Sequence, residues 1–232
     1  IEACCVDTYA HNHPETPRDH IIKGDICEVV EELGQLINGE HIDIVVGGPP
    51  CQGFSMANRQ RLIDDPRNYL YKNYIEVVRR LQPKFFVMEN VKGMLGVSNQ
   101  VKEDFEAIGY TVGCKVVNAK DFGVPQNRER LIYIGNRLGV DNGAVFKQIE
   151  MAGASMTTFV LSDALYGLRP LEASRIRNAT EIDSEISGKR IESANGLMSN
   201  DYIDIINCGR KVPFVCNHKA RYNNDRDIEI YR

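Results

Sequence analysis

A doubly wound, mostly parallel α/β sheet is the fold class this sequence predicts, on three observations. The β-like run Ile42-Asp43-Ile44-Val45-Val46 ends at a glycine pair, and a second run, Phe85-Phe86-Val87-Met88, ends at Glu89 and Asn90. Segments with helical spacing precede and separate these runs. Strands that alternate with helices in this way pair in parallel and bury both faces of their sheet. The 232 residues suffice for one good core, or for a core with part of a second domain.

In chain order, Ile1 to Tyr9 permits a helix, which Asn12-His13-Pro14 breaks. Asp25 and Glu28 have capping-box spacing, and Ile26, Val30, Leu33 and Ile37 share one helical face that ends at Gly39. Cys27 in that helix reads as a small core residue. After the glycine pair, the stretch from Met56 to Pro66 is polar, Arg-bearing and without a period, so it is expected to be mobile. Helical spacing resumes with Leu70, Tyr74, Val77 and Leu81, and Pro83 stops it. Behind the Phe85 strand, Val101, Phe105 and Ile108 mark another helix ending at Gly109, and Thr111 to Val117 is strand-like. Gly123-Val124-Pro125 is a loop, and Leu131-Ile132-Tyr133-Ile134 is a short strand. From Gly139 onward the periodicity fades into a linker, with a helix start at Leu161 capped by Ser162 and a polar, aperiodic stretch from Arg169 to Asn200.

Composition narrows the class further. The sequence has no run of about eighteen apolar residues and no charged-then-apolar leader, so no membrane span or secretory signal is expected and the location is expected to be cytoplasmic. Seven cysteines without a Cys-x-x-Cys pair argue against a disulfide framework and against a structural zinc site. A net charge of −4 is unusual for a protein that contacts phosphates. The charge is uneven, however: Arg59, Arg61, Arg67, Lys72, Arg79, Arg80, Lys84 and Lys92 outnumber Asp64, Asp65, Glu76 and Glu89 in the segment after the glycine pair.

That glycine pair opens Gly47-Gly48-Pro49-Pro50-Cys51-Gln52-Gly53-Phe54-Ser55. Glycines let another molecule approach the backbone, and prolines fix φ, so Cys51 is held with little freedom on a turn at a strand end. In α/β sheets ligands bind beyond the carboxyl ends of the strands, and a thiol on such a platform reads as a nucleophile.

The stretch Gly48-Pro49-Pro50-Cys51-Gln52-Gly53-Phe54-Ser55 resembles the catalytic-loop motif of the DNA cytosine-C5 methyltransferases. Phe86-Val87-Met88-Glu89-Asn90-Val91 resembles the family's Glu-Asn-Val motif, and Gln126-Asn127-Arg128-Glu129-Arg130 its Gln-x-Arg-x-Arg motif, in the family's order. The resemblance implies a Rossmann-like class I methyltransferase core followed by part of a small target-recognition region. It implies S-adenosyl-L-methionine as methyl donor, with Ile1, Asp25, Ile26, Pro49 and Leu70 near it, and double-stranded DNA with a flipped cytosine as partner.

The chemistry agrees with the residue types. Cytosine C5 is a poor nucleophile until a thiolate adds to C6, the role implied for Cys51. Glu89 would bind or protonate N3, Arg130 would meet the charge at O2, Arg128 would support the loop and backbone, and Asn90 would position Glu89 or the thiol loop. A metal is not required.

Residues 1–138 are expected to form the catalytic core, and 139–232 a linker and the start of the recognition region. In the latter, Asn217-His218-Lys219-Ala220-Arg221 resembles a segment of bacterial and phage members, and His218 reads as structural or phosphate-contacting. The family's Gly-rich first motif, its ribose-binding acid and its last two motifs have no counterpart in this sequence. A fragment or one half of a split enzyme with a second chain is therefore expected, with no useful methylation by these residues alone. Two alternatives stand beside the restriction-modification or phage self-protection role. One is methylation of a transfer RNA, against which Gly53-Phe54-Ser55 resembles the DNA enzymes more. The other is a non-catalytic binding subunit, which the intact Cys51, Glu89 and Arg130 oppose.

Overall fold

The computed structural model describes residues 2–50, 69–168, 190–192, 199–210, 214–216 and 222–230, with backbone alone at 190–192 and 214–216. These fall into two compact units, Ile1–Asp121 with Asn127–Met156, and Phe122–Gln126 with Thr157–Arg232.

The first unit is built on a four-stranded sheet of β1 (Ile44–Gly47), β2 (Phe85–Val91), β3 (Thr111–Asn118) and β4 (Glu129–Asn136), in the order β1-β2-β4-β3. β1 and β2 are parallel, while β4 is antiparallel to both β2 and β3. Three strands thus run one way, as expected, and β4 is inserted between two of them in reverse. The reversal follows from chain length: the short segment 119–128 joins β3 to β4, too few residues for the helical crossover a parallel neighbour requires.

Alternation along β2 puts Phe86, Met88 and Asn90 on one face, all buried. That face meets α3 (Tyr69–Leu81) and α4 (Ser98–Glu106) in the main core, where Phe86 stacks on Phe105 at 4.1 Å. The opposite face of β3 carries α5 (Asn142–Ala154): a Cβ on Gly113 would stand 2.8 Å from Cβ of Asn142 and 3.2 Å from the Phe146 ring. Helices on both faces make the sheet doubly wound. Near β1 the second face is open, with Ile44 and Val46 52% and 70% exposed.

Several details correct the sequence reading. The buried face of α3 is Tyr71, Tyr74 and Val78 rather than Leu70, Val77 and Leu81. Tyrosines read as amphipathic in sequence, yet here their hydroxyls find partners inside: that of Tyr71 bonds the Asp104 carboxylate, which burial pushes above its ordinary pKa. The stretch after Gly139 is not a linker but α5, capped by Asp141, which accepts from Gly143 N at 2.8 Å. Its sparse apolar face was easy to miss because Asn142 carries much of the docking, donating to Thr111 O and accepting from Asn136, with both asparagines buried. α2 (Ile26–Leu36) forms where its periodicity predicts, buries Val30, and ends near Gly39 at φ +79°. It lies against α3, where Arg80 donates to Val30 O and pairs with Glu31 at 2.8 Å. α1 (Ala3–Asn12) buries none of its residues.

In the second unit, α6 (Leu161–Ala164) begins after Val160, not Ser162: the Asp163 carboxylate accepts from Val160 N at 2.8 Å and closes the turn. Asn200 caps α7 (Asp201–Ile206) through Ile203 N and donates to Asp163 O, and Phe159 packs on Tyr202. The antiparallel pair β5 (Arg190–Glu192) and β6 (Phe214–Cys216) and the short helix α8 (Asp225–Ile230) complete it. His218 and the surrounding motif lie outside the described residues. Among the described residues no helix is long and apolar enough to cross a membrane, and no cluster of His, Cys, Asp or Glu could hold a metal ion. Cys4, Cys5, Cys27, Cys114 and Cys208 are free thiols.

Candidate active site

Because β4 is reversed, its first residues stand beside the last residues of β2, and this brings two of the predicted site residues together. Glu89 is opposite Ile132 and Arg130 is opposite Val91, so the two are diagonal neighbours on one face of the sheet. Arg130 Nε lies 2.7 Å from Glu89 Oε1, and Arg130 Nη1 donates to Glu129 O at 2.8 Å. Both side chains retain solvent access, Glu89 43% and Arg130 25%. Beside them Lys92 pairs with Glu129 at 2.9 Å.

The strand-end turn passes directly over this pair. A Cβ on Gly48 would stand 3.0 Å from Glu89 Oε2, so the glycine is what allows the backbone to cross the carboxylate. One residue further, Pro49 O accepts from Asn90 Nδ2 at 3.1 Å, while Asn90 Oδ1 accepts from Val91 N at 2.9 Å. Asn90 is 3% exposed, and its amide thus secures the turn backbone from below. Cys51, and the stretch expected to be mobile after it, lie outside the described residues.

Arg128 is exposed at the end of the β3–β4 connection, and its backbone N–H donates to Asn118 Oδ1 at 3.0 Å. Asn118 Nδ2 also donates to Asn127 Oδ1 at 2.6 Å, so this one side chain closes the connection that carries the arginine. Sequence reasoning overlooked Asn118; an asparagine at a strand end before a Gly-Pro loop was the available signal.

Of the residues expected near a cofactor, Ile1 lies outside the described residues. Asp25 caps α2, accepting from Cys27 N at 2.9 Å, the second amide of the helix rather than the third that a capping box uses. Hydrogen bonding to Cys27, from its thiol first and its backbone N–H second, holds the carboxyl below the ordinary range. Asn73 Nδ2 donates to Cys27 Sγ at 3.3 Å, which joins the start of α2 to α3 about one turn after Leu70. Ile26, Leu70 and Pro49 are each half-buried.

Helices on both faces of the sheet, with polar groups gathered at the carboxyl ends of its same-direction strands, define a Rossmann-like methyltransferase core. The sequence profile described as C-5 cytosine-specific DNA methylase matches residues 1–202, and the chain belongs to that family. It is 45% identical over 148 residues to type II methyltransferase M1.HphI of Haemophilus parahaemolyticus, covering 60% of this chain and 39% of that protein. It is 42% identical over 151 residues to M.AquIA of Picosynechococcus sp., covering 58% and 60% respectively. M.Bpa9945I of Bacillus paralicheniformis is 31% identical over 226 residues, 89% of this chain and 48% of that protein. The chain therefore spans 39% to 60% of the length of these relatives. Among solved structures, a prophage-encoded protein of E. coli assigned as a DNA modification methyltransferase superposes with a TM-score of 0.57 at 29% identity, over 75% of this chain and 48% of that one.

Proposed function

We propose that this chain carries the reaction centre of a DNA cytosine-C5 methyltransferase of the restriction-modification type, acting on a cytosine flipped out of double-stranded DNA in the cytoplasm. The observation that carries the reading is the Glu89–Arg130 pair beneath Gly48, at the mouth of the turn that leads to Cys51.

In this reading the Cys51 thiolate adds to C6 of the target base, and the electron pair of the C5–C6 bond becomes available at C5. Negative charge develops over N3 and O2 as the thiolate adds. Glu89 meets N3, as a hydrogen-bonded acid or proton donor, and Arg130 stabilises O2 while fixing the orientation of the carboxyl group. Both groups sit on strands held from two sides, so their positions are set before the base arrives. Asn90 holds the turn that presents the thiol, and Arg128, exposed on its clamped connection, supports the loop and the DNA backbone.

S-adenosyl-L-methionine would supply an electrophilic methyl group to C5. Asp25, Ile26, Leu70 and Pro49 would hold its adenosine end, with Ile1 beside them. Transfer of the C5 proton to a solvent water, with its bonding pair re-forming the C5–C6 double bond as the thiolate departs, then restores the aromatic ring and frees Cys51. Residues 139–232 would contribute to target recognition, with the compact core reaching Met156.

The test is covalent trapping on DNA that carries 5-fluorocytosine, which has no C5 proton to lose. The complete enzyme should form a stable adduct with S-adenosylmethionine present, and Cys51→Ser should form none while still binding DNA. Adduct formation by the Ser variant at the parent's rate would refute the assignment.

A further inference from the structure

We propose that Tyr74 is a positioning residue of this centre: its hydroxyl ties the end of β1 to β2 and thereby holds Gly48 against the Glu89 carboxylate. The proposal rests on the functional reading above for its kinetic consequence, but on the geometry alone for the contact itself.

Tyr74 stands on the buried face of α3 with its ring edge toward Phe86 and Phe105, centroids 6.3 and 6.2 Å away. A phenylalanine would fill that space equally well. The hydroxyl reaches past the core into the strand layer, 3.1 Å from Val45 O and 2.9 Å from Val87 O. One phenolic proton is therefore shared between carbonyls of two neighbouring strands, in a site where burial pushes the phenol far above its ordinary pKa and keeps that proton in place. Val45 is two residues before Gly47, and Val87 two residues before Glu89.

The glycine pair shows what this tie accomplishes. A Cβ on Gly47 would meet Tyr74 Cε2 at 2.7 Å, whereas a Cβ on Gly48 would meet Glu89 Oε2 at 3.0 Å. Successive residues of a strand face opposite sides of the sheet, so Gly47 yields to the tyrosine on one side and Gly48 to the acid on the other. Just past Gly47 the chain leaves its pairing with β2 to cross the carboxylate, and main-chain bonds to β2 no longer fix it there. The phenol adds a side-chain tie at Val45, three residues before Gly48, and Asn90 holds Pro49 just beyond, so the crossing is anchored on both sides. Catalytic groups displaced by about 1 Å can lose about a hundred-fold in rate, so the spacing between this turn and Glu89 is a kinetic quantity.

The experiment compares Tyr74→Phe with the parent in the complete enzyme, measuring kcat, KM for DNA, thermal midpoint and amide hydrogen exchange at Gly47 and Gly48. Tyr74→Phe should lower kcat by about ten-fold or more, leave KM for DNA within about two-fold, and speed exchange at both glycines. Gly47→Ala, which displaces the ring but keeps the hydroxyl, should lower kcat in the same direction. A lower thermal midpoint in Tyr74→Phe with kcat and glycine exchange unchanged would make Tyr74 a packing residue and overturn the proposal. If the parent transfers no methyl group to DNA, the functional reading fails separately, and the exchange measurement decides: faster exchange sustains the tie, unchanged exchange overturns it.

Discussion

Arg130 reaches Glu89 diagonally across the β2–β4 ladder, Nε to Oε1 2.7 Å, although neither residue is the other's partner in register. The contact exists because β4 runs opposite to β2, which sets the beginning of one strand beside the end of the other. In a wholly parallel sheet the two residues would lie at opposite edges.

Partial exposure on both sides limits what this ion pair contributes to stability. Arg130→Ala should change unfolding free energy by less than about 1 kcal/mol. Methyl transfer by the complete enzyme should fall by about a hundred-fold or more, since the donor aimed at the developing charge is gone. Arg130→Lys should recover little, because an ammonium cannot present the guanidinium fork to a carboxylate and a base oxygen together. Denaturant titration and a tritiated-methyl assay read the two quantities, and near-parent turnover in Arg130→Ala would remove Arg130 from the reaction.

Asn90→Asp should destabilise the protein by about 1–3 kcal/mol, because an ionised carboxylate cannot donate to Pro49 O and would lie buried against it. Burial raises such a carboxyl's pKa, and the protonated form can donate. The deficit relative to the parent should therefore shrink as pH falls and grow as pH rises. Paired melting curves across pH 4 to 8, about the range where a perturbed carboxyl titrates, would contradict this if the deficit were constant.

Gly135 faces Phe86 across the β2–β4 ladder, and a Cβ there would lie 2.0 Å from Phe86 Cε1 and 2.4 Å from Cζ. Phe86 is fully buried and stacked on Phe105, so it has nowhere to move. Gly135→Ala should cost about 3 kcal/mol, the upper end for overpacking, and Phe86→Leu in the same chain should recover part of it. Urea unfolding midpoints of the single and double variants check both statements.

Glu76 bonds both Arg79 and Arg80, which lowers its carboxyl from an ordinary 4.5 to about 2. A carboxyl depressed by folding stabilises the native state above its unfolded pKa, and the contribution is lost as pH falls from about 4.5 through about 2. Glu76→Gln should accordingly flatten the acid limb of the stability curve in that window while leaving the curve's shape near neutrality unchanged. An identical acid limb in parent and variant would show that the network adds nothing.

The legible parts of the molecule are those in which a local signal coincides with the final environment. The glycine pair, the strand carrying Glu89, the helix capped by Asp25 and the helix of Val101 and Phe105 each announce themselves through spacing, turn residues or caps. Two helices were harder. The face of α3 keeps the expected Tyr74 but turns to Tyr71 and Val78, and Tyr71 is buried through a hydroxyl bond that no hydrophobicity pattern records. The helix α5 docks through Asn142, bonded to Asn136 of β4 and to Thr111, together with Phe146 and Gly153, so its burial shows no regular apolar period.

Sequence by itself determined which chemistry is at hand: a thiol on a stiff turn, an acid and an asparagine at a strand end, and arginines two residues apart in an ordered set of motifs. These are local matters, fixed by residue type and by a few neighbouring φ and ψ preferences. Only the tertiary structure decided that Arg130 meets Glu89, that Asn90 grips Pro49, and that Tyr74 binds two strands at once. Each of those contacts joins residues distant in the chain: the first depends on the reversed direction of β4, the other two on the parallel pairing of β1 with β2, and both arise from how the whole sheet closes its hydrogen bonds and buries its faces.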